Sequence, residues 1–208
     1  MSAESAPQRL VLLRHGLTTW NAERRFQGQA DVELAETGHL QAKAAAEALV
    51  DYAPVALWAS DLARAVQTAE YVGEATQLVP VLDQRLREIH VGEFQGLTHG
   101  EVLERYGPGP WDFSEYGGES DAQAGERMAV AIADAAAALP AAATGVIVAH
   151  GAVIRHGLLR FLGWPDEQVG TIGALDNCAW VELVRAAGTW QSEPRWRLAA
   201  YNVKTPIS

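Results

Sequence analysis

Two histidines and two arginines sit where apolar segments end. The stretch "LVLLRHG" runs from Leu10 into Arg14, His15 and Gly16, and "GVIVAHG" runs from Gly145 into His150 and Gly151. A third stretch, "ALWASDLAR", leads to Arg64. An arginine at the end of a buried segment is costly unless it meets an anion. Guanidinium groups hold phosphoryl oxygens through planar, bidentate contacts. A histidine with one ring nitrogen free is a competent nucleophile. Gly16 and Gly151 let a ligand approach the backbone closely, and N–H groups at a helix start after Gly151 would add to an anion site. These groups suit a phosphate dianion, and phosphoryl transfer asks little more of a protein than positioning and charge stabilisation. What remains is a proton donor for the leaving alcohol. The segment "LREIHVGEFQG" offers Glu88 and Glu93. No HExxH, CxxC or Walker loop is present, so this reading calls for no metal and no cofactor.

Residues so far apart in sequence meet only if parallel strands end side by side. Apolar runs at 10–14, 55–60, 78–82 and 145–150 read as strands, the third an edge strand because of Pro80. Helical patterns fill the intervals: 37–52, with Leu40, Ala44, Ala48 and Leu49 on one face; 60–76, capped by Ser60 or Asp61; 98–107; 119–139, with Ser120 and Gln123 as a capping box; and 152–163, closed by Gly163 ahead of Pro165. Two strands, 177–184 and 195–202, finish the chain. The alternation predicts an α/β three-layer sandwich, a mostly parallel central sheet with helices on both faces. In such sheets the ligand site lies beyond the carboxyl ends of the strands. Arg14, His15, Arg64 and His150 all fall there.

The bulk composition agrees. The chain has 208 residues, 49% hydrophobic and 20% charged, enough for one domain with a real core. Its formal net charge of −10 argues against a nucleic-acid partner, which needs a basic face. A few focused cations still outweigh a distant negative field for a small anion. Cys178 is the one cysteine, in an apolar run, and reads as a buried structural thiol. "MSAESAPQR" lacks the pattern of a secretory leader, and no run approaches the length of a membrane span, so the reading is a cytoplasmic protein without a membrane partner.

The segment "LLRHGLTTWN" resembles the signature of the histidine phosphatase superfamily, the phosphoglycerate mutase-like group. The likeness extends through "FQGQADVELAETG", "ASDLARAVQTAE", "LREIHVGEFQG", "GGES" and "VIVAHG", in that order. It implies a metal-independent phosphomonoesterase working through a phosphohistidine. It implies His15 as the nucleophile, Arg14, Arg64 and His150 around the phosphate, and Glu88 as the proton donor. Asn21 resembles a further phosphate contact, and Thr18, Gln27 and Gly28 resemble residues on the substrate side, with Gly151 beside the second histidine. Two arginines near His15 predict that its ring is neutral and ready to attack. His156 is expected to be structural, and in "GGES" the turn glycines and the capping box account for most of the signal.

One branch of the superfamily carries His-Asp after the last core strand and uses that aspartate as its acid. Here the pair is His150-Gly151, which places the chain in the mutase-like branch 1 and returns the acid role to Glu88. Dedicated mutases carry a longer insertion before the second histidine. Here positions 89 to 149, 61 residues, separate the two, which implies a small cap of about 91–120 and an open site favouring hydrolysis. Leu17 departs from the Glu or Gln common after RHG. A narrower likeness, in "QGLTHGEV", "GGES", "NCAW" and "RWRLAAYN", points to glucosyl-3-phosphoglycerate phosphatases. The expected partner is a small phosphorylated metabolite; the sequence leaves the oligomeric state open, with a homodimer as one option. The alternatives are a cofactor-dependent phosphoglycerate mutase, told apart by its product, and a non-catalytic phospho-ligand binding module, which would need neither nucleophile nor acid.

Overall fold

Four consecutive apolar residues make β1 (Arg9–Arg14) a strand that neither face exposes; Leu10 to Leu13 are fully buried. A computed structural model gives the rest of the architecture, describing residues 7–186 and 195–205. Most of the segment "MSAESAPQR" therefore lies outside the described residues. After β1 come α1 (Thr19–Ala22), α2 (Glu36–Leu49), β2 (Pro54–Ala59), α3 (Ala63–Thr76), β3 (Val81–Leu82), α4 (His99–Tyr106), α5 (Asp121–Ala138), β4 (Thr144–Ala149), α6 (Gly151–Leu162), β5 (Trp180–Ala186) and β6 (Arg195–Val203).

The six strands form one sheet in the order β3-β2-β4-β1-β5-β6. β3, β2, β4 and β1 are parallel, and β5 is antiparallel to both β1 and β6. Because strand side chains alternate, Leu10 and Leu12 pack toward α5 and α6, while Val11 and Leu13 pack toward α2 and α3. This is the expected three-layer arrangement. The register sets Arg14 beside Ala149 and Ala59 beside Val148, so the residues that follow β1, β2 and β4 emerge at one level. No described helix is long and apolar enough to cross a membrane.

Local details differ from expectation in three places. The buried face of α2 is Gly38, Ala42, Ala45, Ala46 and Leu49, and Leu40 is exposed. Alanines all round leave the phase of this helix open in the sequence. Gly38 decides it: a Cβ there would lie 2.1 Å from the Leu17 carbonyl oxygen, so only glycine lets α2 sit against the loop after β1. The helix α3 starts at Ala63, not at Ser60, and neither expected cap serves it. Its first N–H, on Ala63, donates to Asp31 Oδ1 at 2.6 Å, while Asp61 pairs with Arg87. The run at 78–82 pairs only at Val81 and Leu82, at the sheet edge. The other caps form as read: Ser120 with Gln123 on α5, and a left-handed Gly163 after α6.

Candidate active site

His15 directly follows β1, and its backbone N–H donates to Ala149 of β4 at 3.0 Å. Its Nδ1 lies 2.7 Å from the Gly16 carbonyl. A carbonyl only accepts, so Nδ1 carries the proton and Nε2 keeps its lone pair. Burial, then the charges of Arg64 and Arg14, hold the His15 pKa well below the usual histidine value. The ring is neutral, as the flanking arginines predicted. Asn177, in the turn before β5, donates from Nδ2 to the His15 carbonyl at 3.1 Å and to Asn21 Oδ1 at 3.2 Å.

Arg14 and Arg64 flank this ring. Arg64 projects from the first turn of α3 and is fully buried. It donates to the carbonyls of Ala30 (2.7 Å) and Gly28 (2.9 Å) and from Nε to His150 Nδ1 at 3.2 Å. Gly28 supplies its carbonyl from a left-handed turn (φ 53°), where a Cβ would strike Val91. Arg14 donates to the Leu175 carbonyl, and its Nε has no partner. The bare Cα of Gly151 leaves room for it; a Cβ there would sit 3.2 Å from that Nε. Burial lowers both guanidinium pKa values, that of Arg64 to about 10, so both stay cationic at neutral pH. Among the described residues neither forms an ion pair with a carboxylate.

His150 lies behind this surface, its ring centroid 5.1 Å from that of His15. Its Nδ1 accepts from Arg64, so its Nε2–H points to Ser60 Oγ at 2.8 Å. Both ring nitrogens thus meet protein groups here, and Nδ1 steadies the Arg64 guanidinium. Burial, then Arg64 and His15, push its pKa well below the usual value. Thr18 departs from expectation. It is fully buried, caps α1, and bonds Asn21 and Gln27 instead of lining the cleft. Asn21 Oδ1 accepts from the Thr18 backbone and from Asn177, which leaves its amide hydrogens to face the cleft.

Glu88 closes the far side. Its carboxylate accepts from the backbone N–H groups of Ala152 (3.2 Å) and Val153 (2.9 Å) at the start of α6, and from Ile89. The amides expected to bind phosphate therefore hold this carboxylate. Glu93, the other candidate acid, is exposed and accepts from the Tyr106 hydroxyl. Only Glu88 lines the cleft, a cavity of about 230 Å³ floored by Arg14, His15, Arg64, Asn21, Gln27 and Gly28. Its mouth is apolar on Phe26, Ile89, Val91 and Phe113, with Arg25 at the rim. The sequence reading missed Arg25, Phe26, Ser60 and Asn177. Ser60 directly follows β2 and is reached by the same rule that flagged His150; Asn177 opens the "NCAW" block, to which no role was given. His156 meets Asp121 of α5, as a structural residue would. Burial pushes the Cys178 thiol up to about 12, so it stays protonated, as read.

The comparisons agree with this geometry. The model of the histidine phosphatase superfamily (branch 1) matches residues 10–196. A glucosyl-3-phosphoglycerate phosphatase of Mycobacterium tuberculosis is 37% identical over 97% of both chains, and one of Mycolicibacterium vanbaalenii 35% identical over 97% of both. The solved structure of a mycobacterial glucosyl-3-phosphoglycerate phosphatase with VO3 superposes with a TM-score of 0.84 at 36% identity, covering 94% of this chain and 99% of that one. The chain belongs to branch 1 of the histidine phosphatase superfamily.

Proposed function

We propose that this protein hydrolyses a small phosphorylated metabolite through a phosphohistidine at His15, with glucosyl-3-phosphoglycerate as the substrate. One observation carries the reading: a fully buried guanidinium (Arg64) and a half-buried one (Arg14), neither paired with a carboxylate among the described residues, flank a neutral histidine whose Nε2 is free. A buried cation left unpaired costs several kcal/mol by rough estimate, a cost that a bound anion offsets. Arg14, Arg64 and the amide of Asn21 hold the phosphoryl oxygens, with Gln27, Gly28 and Gly151 around them; His150 and Thr18 support from behind. The ester enters as its monoanion, and its proton passes to the Glu88 carboxylate beside the leaving oxygen. His15 Nε2 then attacks phosphorus. The P–N bond forms, the P–O bond breaks, and the leaving oxygen takes the proton of Glu88. In the second half water attacks phosphorus and gives its proton to Glu88. The P–N electron pair returns to Nε2, and phosphate leaves.

The segment 91–120 acts as the small cap, reaching the cleft through Val91 and Phe113. The reading also includes a cytoplasmic location and a homodimer. Val79, Val81 and Leu82, uncovered at the sheet edge, form its face, and sedimentation of wild type against Val81→Lys tests it. The function itself is tested by phosphate release in EDTA from glucosyl-3-phosphoglycerate, 3-phosphoglycerate and p-nitrophenyl phosphate. Release from the first, fastest of the three, supports the reading. An isomerised phosphoglycerate without free phosphate would make the protein a mutase instead.

A further inference from the structure

The loop that carries Glu88 is not held by regular structure. It follows a short 3₁₀ turn (Gln84–Leu86) and precedes another (Gly92–Phe94), and its own backbone bonds are few. Side chains from other elements hold it: Asp61 pairs with Arg87, Gln29 Nε2 donates to the Glu88 carbonyl at 3.1 Å, and α5 supplies the most contacts. Arg127, on α5, donates from Nη1 to the carbonyls of Arg85 (2.8 Å) and Arg87 (2.5 Å), and from Nη2 to the carbonyl of Glu88 itself (2.9 Å). Its other edge meets Glu119 in a two-point ion pair, Nε to Oε2 at 3.0 Å and Nη2 to Oε1 at 2.5 Å. Glu119 Oε1 in turn accepts from the N–H of His90, and the Glu119 N–H donates to the His90 carbonyl. One guanidinium and one carboxylate thus bind both sides of Glu88, on residues 85, 87, 88 and 90. Both side chains are about one-fifth exposed, so the pair is sheltered. A guanidinium in a fixed plane offers donors in fixed directions, which a flexible ammonium cannot copy.

We propose that Arg127 and Glu119 are positioning residues for the proton donor: they set the Glu88 carboxyl at the distance from the leaving oxygen that acid catalysis requires. The inference rests on the reading of Glu88 as that acid. Proton donation depends on reach, and a misplacement of about 1 Å is enough to cost on the order of 10²-fold. A misplaced acid harms poor leaving groups most, because a good one departs without a proton. Arg127 and Glu119 touch neither phosphate pocket nor nucleophile, so attack by His15 is spared.

The test compares an alkyl ester, 3-phosphoglycerate, with an aryl ester of good leaving group, p-nitrophenyl phosphate. The variants are Arg127→Met, Arg127→Lys, Glu119→Gln and Glu88→Gln. For Arg127→Met we expect kcat on the alkyl ester to fall by at least about 10-fold more than on the aryl ester, within the range acid catalysis supplies. Arg127→Lys is expected not to rescue it. Glu119→Gln, a milder change that keeps the chain folded should Arg127→Met unfold it, is expected to show a smaller shift of the same kind. In a Glu88→Gln background, Arg127→Met is expected to add no further selectivity. Equal losses on both esters at Arg127 and Glu119, with a selective loss at Glu88, would overturn this inference alone. No selectivity at Glu88→Gln would overturn the acid assignment, and the positioning role with it.

Discussion

A few contacts put His15 in the state a nucleophile needs. One hydrogen bond to the Gly16 carbonyl fixes the tautomer, and burial with two nearby guanidiniums keeps the ring uncharged. His150 is neutral for similar reasons. Both pKa values are lowered on folding, so the unfolded chain binds these protons first as the pH drops. The stability tied to the neutral rings is present above the ordinary histidine value of 6.5 and is lost as pH falls toward the folded values. The unfolding free energy from urea titrations is therefore expected to fall between roughly pH 7 and 5, by up to about 1.4 kcal/mol per pH unit for each histidine. His15→Ala should reduce that slope; an unchanged slope would mean that His15 is not buried neutral. Legibility at this scale followed strand ends. Arg14, His15 and His150 close apolar runs, so their clustering was readable once the sheet was. That His150 faces Arg64 and Ser60 was not, because hydrogen-bond direction depends on side chains from three elements. Asn177 opens the "NCAW" block, but its role was hidden because its partners, His15 and Asn21, lie 162 and 156 residues away in sequence.

The elements place the site through close approaches. Gly38 lets α2 press against the loop after β1, and Gly38→Ala would put a methyl 2.1 Å from the Leu17 oxygen. We expect a stability loss of about 1–3 kcal/mol by urea unfolding, with turnover falling as the loop holding Thr18 and Asn21 shifts. Asp31 reaches across to cap α3, the helix that carries Arg64. Asp31→Ala is expected to cost about 0.5–2 kcal/mol, the usual worth of a lost cap, and to raise KM for phosphate esters. No loss in either quantity would show the Ala63 contact to be incidental. The strands and long helices were legible because apolar periodicity marks them. The phase of α2 was not, since alanine is small enough to face either way. The cap of α3 was not, since its donor-acceptor pair is separated by 32 residues.

At the scale of the molecule, a chain with net charge −10 concentrates two cations in one cleft and surrounds the mouth with aromatic and aliphatic side chains. The fold supplies three parallel strand ends at one level, and the charge is local, as the sequence allowed. In the proposed reading a few groups recognise phosphate, and the choice of ester falls to the apolar rim and Arg25. This division explains why the reaction was legible in the sequence while the rim was not: its residues come from loops held by partners distant in sequence, such as Phe26 bonded to Leu97. The central claim is the covalent intermediate. The most direct measurement is to quench the enzyme during turnover of p-nitrophenyl phosphate in EDTA and locate the phosphoryl group by peptide mass spectrometry. The account predicts an acid-labile adduct on His15, absent from His15→Ala, which should also have lost turnover. A phosphoryl group on any other residue, or turnover that survives His15→Ala, would contradict it.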